Sequence, residues 1–201
     1  MKLFYSPTSP YARKCRALAI EKGIEGRLEI VTTSPLSNPP ELQAANPLGK
    51  VPALVLDNGQ CIVDSPVICA WLDSLSDTPR LFPTNPAARI DALTREALAD
   101  GIMDAAFAIV MERKRPDQQR SPEWLMRWTS AIRRSVGHFS TLIPTREQPD
   151  IGDISLACAL AYVDFRLGDL AWDAEAPTLR AWLSSISARP SLSATAPPPG
   201  A

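Results

Sequence analysis

The sequence predicts an α/β domain built on a mixed four-stranded sheet, followed by an all-helical domain. Three observations predict it. The N-terminal third orders itself as strand, helix, strand, hairpin and helix. A stretch with three prolines and no periodicity, Ser76 to Pro86 (SDTPRLFPTNP), then interrupts the chain. Beyond it every periodic segment is helical. The chain therefore divides into residues 1–76, a linker at 77–86 and residues 87–201, and it is long enough to bury a substantial core.

Leu3, Phe4 and Tyr5 make a short buried strand that Ser6-Pro7-Thr8 breaks. Ser9-Pro10 starts a helix on which Ala12, Cys15, Leu18 and Ala19 share a face, and Gly23 stops it. Leu28 to Val31 is the second strand, parallel to the first through a right-handed crossover. The loop TTSPLSNPP and a short helix at Glu41 to Ala45 lead into NPLGKVPALVLDNGQCIVDS, Asn46 to Ser65. Pro52 donates no ladder bond, so it sits at the mouth of the third strand and pushes Val51 to an extended conformation. Val51, Ala53, Val55 and Leu56 supply that strand, Asn58-Gly59 a two-residue turn, and Cys61-Ile62-Val63 the return strand. The extended backbone at Val51 suits strand addition by a short peptide. Asp64-Ser65-Pro66 then opens a helix from Pro66 to Leu75, with the cap at Ser65 ahead of the proline at the first helical position, and its free N–H groups favour an anion.

In the helical half the pattern places helices from Ala87 to about Arg113, Pro122 to about Leu142, Ile151 to about Leu167 and Pro177 to Ala188. Leu81 and Phe82 wedge between the domains, and Arg113-Lys114-Arg115 read as a solvated turn at a helix end. Asp150 caps an almost wholly apolar helix, which makes it the core of this half and Asp153 a structural residue. The terminal SLSATAPPPGA, from about 191, reads as disordered.

Lysine and arginine total 21 against 22 acids, which excludes the basic surplus that nucleic acid or an anionic membrane requires. No apolar run approaches the ~18 residues of a membrane span, and Met1-Lys2 leads straight into a strand, so a cytoplasmic protein is expected. Cys15, Cys61, Cys69 and Cys158 form no C-x-x-C, and the single His138 completes no zinc set; no metal is expected. Cys15 lies more than a turn inside the first helix, away from its reactive N-terminus.

The run N-P-L-G-K-V-P followed by Asp64-Ser65 resembles the glutathione-binding half of the glutathione S-transferases, as do SPTSPYARK and LFPTNPAAR elsewhere in the chain. The resemblance implies a thioredoxin-like first domain with a cis-proline at Pro52, glutathione as co-substrate and a homodimer. It implies that Val51 and Pro52 meet the cysteinyl unit, that Asp64 and Ser65 hold the γ-glutamyl group, and that Lys50 reaches the glycyl carboxylate. It makes Ser9 the hydroxyl that donates to the glutathione thiolate, with Tyr5 competing and Ser6 and Thr8 behind. The helix after Asp150 is similar to the family's capping-box helix, with Asp in place of Ser or Thr. The second substrate is expected to be a small apolar electrophile over Ser9; Tyr11, Met103, Phe107 and Met111 could line it, although a Met or aromatic at helical spacing is more often core. Peroxidase, isomerase or dehalogenase chemistry with the same thiol, and a non-catalytic binding module, are the alternatives.

Overall fold

A computed structural model describes residues 1–143 and 148–199. Four strands, β1 (Lys2–Tyr5), β2 (Glu29–Thr32), β3 (Ala53–Val55) and β4 (Cys61–Ile62), form one mixed sheet in the order β2-β1-β3-β4. β1 and β2 run parallel, joined by α1 (Pro10–Glu21), while β3 is antiparallel to both neighbours. Gly23 takes a φ of +66° just past α1, the left-handed stop that glycine adopts without a Cβ penalty. On one face, Leu42 and Ala45 of α2 (Pro40–Ala45) pack with Phe4, Val51 and Ala53. On the other, Leu3, Leu54 and Ile62 join α1 and α3 (Ser65–Ser74) in a core that continues into the helical half.

Two local expectations are corrected. The β3–β4 connection is not a two-residue turn: Gly59 N–H donates to Leu56 O (2.9 Å), Gln60 N–H to the Asn58 side chain (2.9 Å), and only Gly59 has a positive φ. That is a tight turn closed by a left-handed glycine, since a type I′ turn needs positive φ at Asn58 as well. The third helix begins at Ser65, one residue earlier than expected, because Asp64 rather than Ser65 takes the cap position.

The linker is stitched down at both ends. The Asp73 carboxylate accepts the N–H groups of Leu81 (3.0 Å) and Phe82 (3.3 Å) and pairs with Lys22 (3.0 Å). Lys22 also donates to Ser76 O and Pro79 O, and Ile151 N–H donates to Leu81 O (2.9 Å). Leu81 and Phe82 are buried in the shared core.

The helical half comprises α4 (Pro86–Arg113), α5 (Pro122–Ser140), α6 (Ile151–Arg166), α7 (Pro177–Ser187) and α8 (Pro190–Ala194). Helix α6 is buried continuously from Ile151 to Leu160. Its first turn is a reciprocal capping box: Asp153 N–H donates to Asp150 (3.2 Å) and Asp150 N–H to Asp153 (3.0 Å). Arg95 of α4 bridges both carboxylates at 2.6 Å. The end of α4 is more than a solvated turn: Arg113 pairs bidentately with Asp169, and Arg120 donates to the carbonyls of Arg113 and Arg115.

The expectation of a disordered tail from about 191 is overturned. Ser191, Leu192 and Thr195 are buried against α1; Gly200 and Ala201 lie outside the described residues. Arg189 and Ser191 both bind Glu21, and Arg13 donates to Leu192 O (2.9 Å) and Thr195 Oγ1 (3.4 Å). Proline-rich composition reports weak local preference, whereas here tertiary contacts supply the order.

Candidate active site

The sheet register gathers the candidate residues. Phe4 faces Ala53 and Leu54 faces Ile62, so one step further Tyr5 falls opposite Pro52, and two steps further Pro52 falls opposite Asp64. The loop that leaves β1 towards Ser9, the Val51-Pro52 entrance to β3 and the start of α3 therefore share one end of the sheet.

Ser9 is the N-cap of α1 and partly buried. Its Oγ accepts the Ala12 N–H at 3.2 Å, and its own N–H donates to Ser6 O at 3.0 Å. A hydroxyl has one donor and two acceptor positions. Capping uses an acceptor, so the O–H of Ser9 stays free to donate at the positive end of the α1 dipole. Tyr5 is differently placed: its ring is buried beneath the Arg16 guanidinium, 5.5 Å from the ring centroid. Ser6 and Thr8 contact each other through their hydroxyls at 3.3 Å.

Val51 and Pro52 are buried and joined by a cis peptide bond. The ladder to β1 begins only at Ala53, so the Val51 backbone lies ahead of it. Asn46 shapes this loop, donating to Lys50 O (2.9 Å) and accepting from Leu48 N–H (3.0 Å), while Lys50 itself is exposed. Asp64 caps α3 by accepting the Ser65 N–H. The Ser65 hydroxyl is thereby left without a cap role, and it is fully buried with no hydrogen-bond partner among the described residues. An unsatisfied buried hydroxyl costs free energy that an incoming acceptor would recover.

Charged side chains that no local pattern groups also meet here. Lys14, fully buried on α1, pairs with Glu96 (3.0 Å) and with both Asp100 oxygens (2.8 Å) on α4, tying the sheet domain to the helices. A helical lysine carries no sequence signal for a contact 82 residues away. Burial chiefly pushes the Asp100 carboxyl up to about 6, with Glu96 and Asp64 adding to it and Lys14 opposing. Asp100 then holds a proton in the folded state between about pH 4 and pH 6 that the unfolded chain has lost. The folded state binds more protons in that window, so stability falls as pH rises through it and levels off above. We expect the urea midpoint of the wild type to drop between pH 4 and pH 6 relative to Asp100→Asn; parallel profiles for the two proteins would refute this.

The Tyr11 hydroxyl donates to Asp104, and its own ionisation is pushed up, first by burial and then by that carboxylate. Phe107 is exposed and Met111 half-buried, but Met103 is fully buried and belongs to the core rather than to a substrate wall. Cys15, Cys69 and Cys158 are fully buried; burial raises the Cys69 thiol and takes that of Cys158 to about 11, so both stay protonated and unreactive. A cavity of about 400 Å³ lies under α2, lined by Phe4, Val31, Pro39 and Leu42, and touches none of the candidate residues. Ser9 instead lines a narrow crevice with Pro7, Thr8, Arg13, Tyr162 and Pro197, too tight for a water molecule.

Comparison with known proteins decides what this arrangement belongs to. Residues 8–75 match the profile of the glutathione S-transferase N-terminal domain, and residues 122–185 that of the C-terminal domain. The chain belongs to the glutathione S-transferase family. It is 35% identical to the uncharacterized GST-like protein YibF of Escherichia coli, over 98% of this chain and 99% of that one. It is 41% identical to a glutathione transferase family member from Pseudomonas fluorescens, whose structure with bound glutathione superposes with a TM-score of 0.93 and covers 98% of each chain. A second structure described in the same terms carries S-(propanoic acid)-glutathione, at a TM-score of 0.90 and covering 98% of this chain and 100% of that one. More distantly, it is 26% identical to a maleylacetoacetate isomerase of Pseudomonas aeruginosa over 84% of this chain and 83% of that one. Among the described residues of this family member no group of three or more His, Cys, Asp or Glu side chains could hold a metal, and no helix is long and apolar enough to cross a membrane. The residues suit glutathione: a buried hydroxyl without a partner among the described residues at Ser65, a Val51 main chain that lies ahead of the β1 ladder and a free O–H at Ser9.

Proposed function

We propose that this chain is a glutathione transferase in which Ser9 stabilises the thiolate of glutathione for addition to a small electrophile. The observation that carries the reading is the Ser9 hydroxyl, whose oxygen caps α1 through Ala12 while its proton is left to donate. Val51 offers main-chain pairing to the cysteinyl unit, Pro52 holds that backbone open, and Asp64 with Ser65 receives the γ-glutamyl ammonium and carboxylate. Lys50, exposed at the loop, reaches towards the glycyl carboxylate. The thiol proton leaves to solvent, the S–C bond forms above Ser9 as the C=C π bond of an activated alkene breaks, and the resulting carbanion takes a proton back from solvent. The P. fluorescens protein holds glutathione carrying a short S-substituent, which supports a small group on the sulfur. The likeness to a maleylacetoacetate isomerase favours isomerisation as a second reading, one that uses the same thiolate.

The protein works as a cytoplasmic homodimer in this reading, with exposed apolar Leu48, Val67, Trp71 and Ile90 available for the partner. The test is the ultraviolet thiolate absorbance of bound glutathione across pH. A transferase or isomerase is expected to lower the thiol pKa by about one to two units, the amount one charge-assisted hydrogen bond supplies. Glutathione bound with an unshifted thiol would leave only a binding module; product analysis with an activated alkene and with a cis-enone separates addition from isomerisation.

A further inference from the structure

The C-terminal segment, which composition marks as tail, is bolted to the helix that carries Ser9. Arg189 pairs with Glu21 through two bonds of 2.9 and 2.7 Å at one end of α1. Nearer Ser9, Arg13 is 4% exposed and clasps the segment through Leu192 O and Thr195 Oγ1. Past the clasp, Pro197 comes down on the crevice that Ser9 shares with Pro7, Thr8 and Tyr162. The clasp is incomplete: Nη1 of Arg13 is buried with no acceptor, a cost that the closed arrangement bears. Among the described residues few hydrogen bonds hold the segment beyond Thr195, and Ala196 N–H to Ser193 O at 3.3 Å is the last along its backbone.

From this juxtaposition of Ser9, Arg13 and Pro197 we propose that residues 197–199 are the specificity-determining wall of the second-substrate site. The Arg13 clasp sets how large a group on the glutathione sulfur the site accepts. The inference rests on the transferase reading above and deepens it. Pro197 suits the role because its ring is rigid and its fixed φ holds it in place without a donor of its own. With the wall closed the crevice excludes even water, so a bulky substituent has to displace the segment before it can occupy the space over Ser9.

S-substituted glutathiones read this without knowledge of the electrophile. Binding of glutathione, S-methylglutathione and S-hexylglutathione is measured by calorimetry to the wild type, to a chain ending at Ala196, which keeps the clasp but removes the wall, and to Arg13→Met, which releases the clasp. The wild type is expected to favour the methyl over the hexyl compound. Both variants are expected to shift that ratio towards hexyl by on the order of tenfold or more, the gain from burying about two further methylenes. Glutathione itself is expected to bind all three alike. An unchanged ratio in the chain ending at Ala196 overturns the proposal while leaving the transferase reading intact. Failure of the wild type to bind glutathione at all overturns the reading beneath it. Should Arg13→Met unfold, the shorter chain still decides.

Discussion

Ser9→Ala is expected to cut turnover by roughly ten- to a hundredfold while changing glutathione affinity little. A hydrogen bond to a charged group contributes about 1.5 to 3 kcal/mol. If that bond favours the thiolate over the thiol, its loss raises the thiol pKa by about one to two units and depletes the reactive anion accordingly. The alanine also removes a helix cap, worth about 1 kcal/mol, because Ser9 Oγ accepts the Ala12 N–H. Two further variants separate the roles. Aspartate caps a helix as well as serine but has no proton to donate and repels a thiolate. Ser9→Asp should therefore keep α1 and lose the thiolate, whereas Ser9→Thr should keep both. The measurements are turnover and the pH titration of thiolate absorbance; an active Ser9→Asp enzyme would reduce Ser9 to a cap and return the role to another hydroxyl.

Asp153→Ala is expected to be the most destabilising of these single changes. Asp153 is 1% exposed, closes the capping box onto Asp150 N–H and pairs with Arg95 at 2.6 Å. Removing one partner of a buried ion pair costs about 3 to 5 kcal/mol; Arg95 keeps Asp150, and the cost here includes the Asp150 N–H left without its side-chain acceptor. For a chain of this size each kcal/mol lowers the melting temperature by roughly 2 to 4 °C, so a fall of about 10 °C or more is expected. The neighbourhood leaves little room to relax. A Cβ at Gly152 would stand 2.7 Å from the Arg95 guanidinium and 2.8 Å from Ala92 O, so α4 and α6 meet backbone to side chain there. Protein that remains folded should still depress the thiol pKa, since Asp153 lies at the start of α6 and not at the end of the sheet that gathers Ser9 and Ser65. A loss below about 1 kcal/mol by urea denaturation would show that the box is dispensable.

Much of this was legible in the residues. The Ser9-Pro10 helix start, the proline at the mouth of β3, the Asp-Ser pair after β4 and the apolar run of α6 are local patterns, and each folds as its own neighbours dictate. The errors were local as well. A one-residue shift at α3 moved the cap from Ser65 to Asp64 and freed the Ser65 hydroxyl, and one glycine torsion changed the hairpin turn. Met103 stood open between core and substrate wall, because helical spacing alone does not say which face of α4 points inward, and burial places it in the core.

Local preference, determined by a few bonds between near neighbours, was thus enough for the sequence by itself to settle the order of elements up to α7, the parallel β1–β2 pair and the β3–β4 hairpin, and the motifs carried the resemblance to the family. Tertiary structure alone decided the contacts between distant parts of the chain. Lys14 meets Glu96 and Asp100 across the join, Arg95 meets Asp150 and Asp153, and the tail is fastened to α1 by Arg13 and Glu21. Each joins residues tens of positions apart or more. A charged side chain carries no periodicity that points to its partner, and what holds it is burial, which arises only once the two halves have packed.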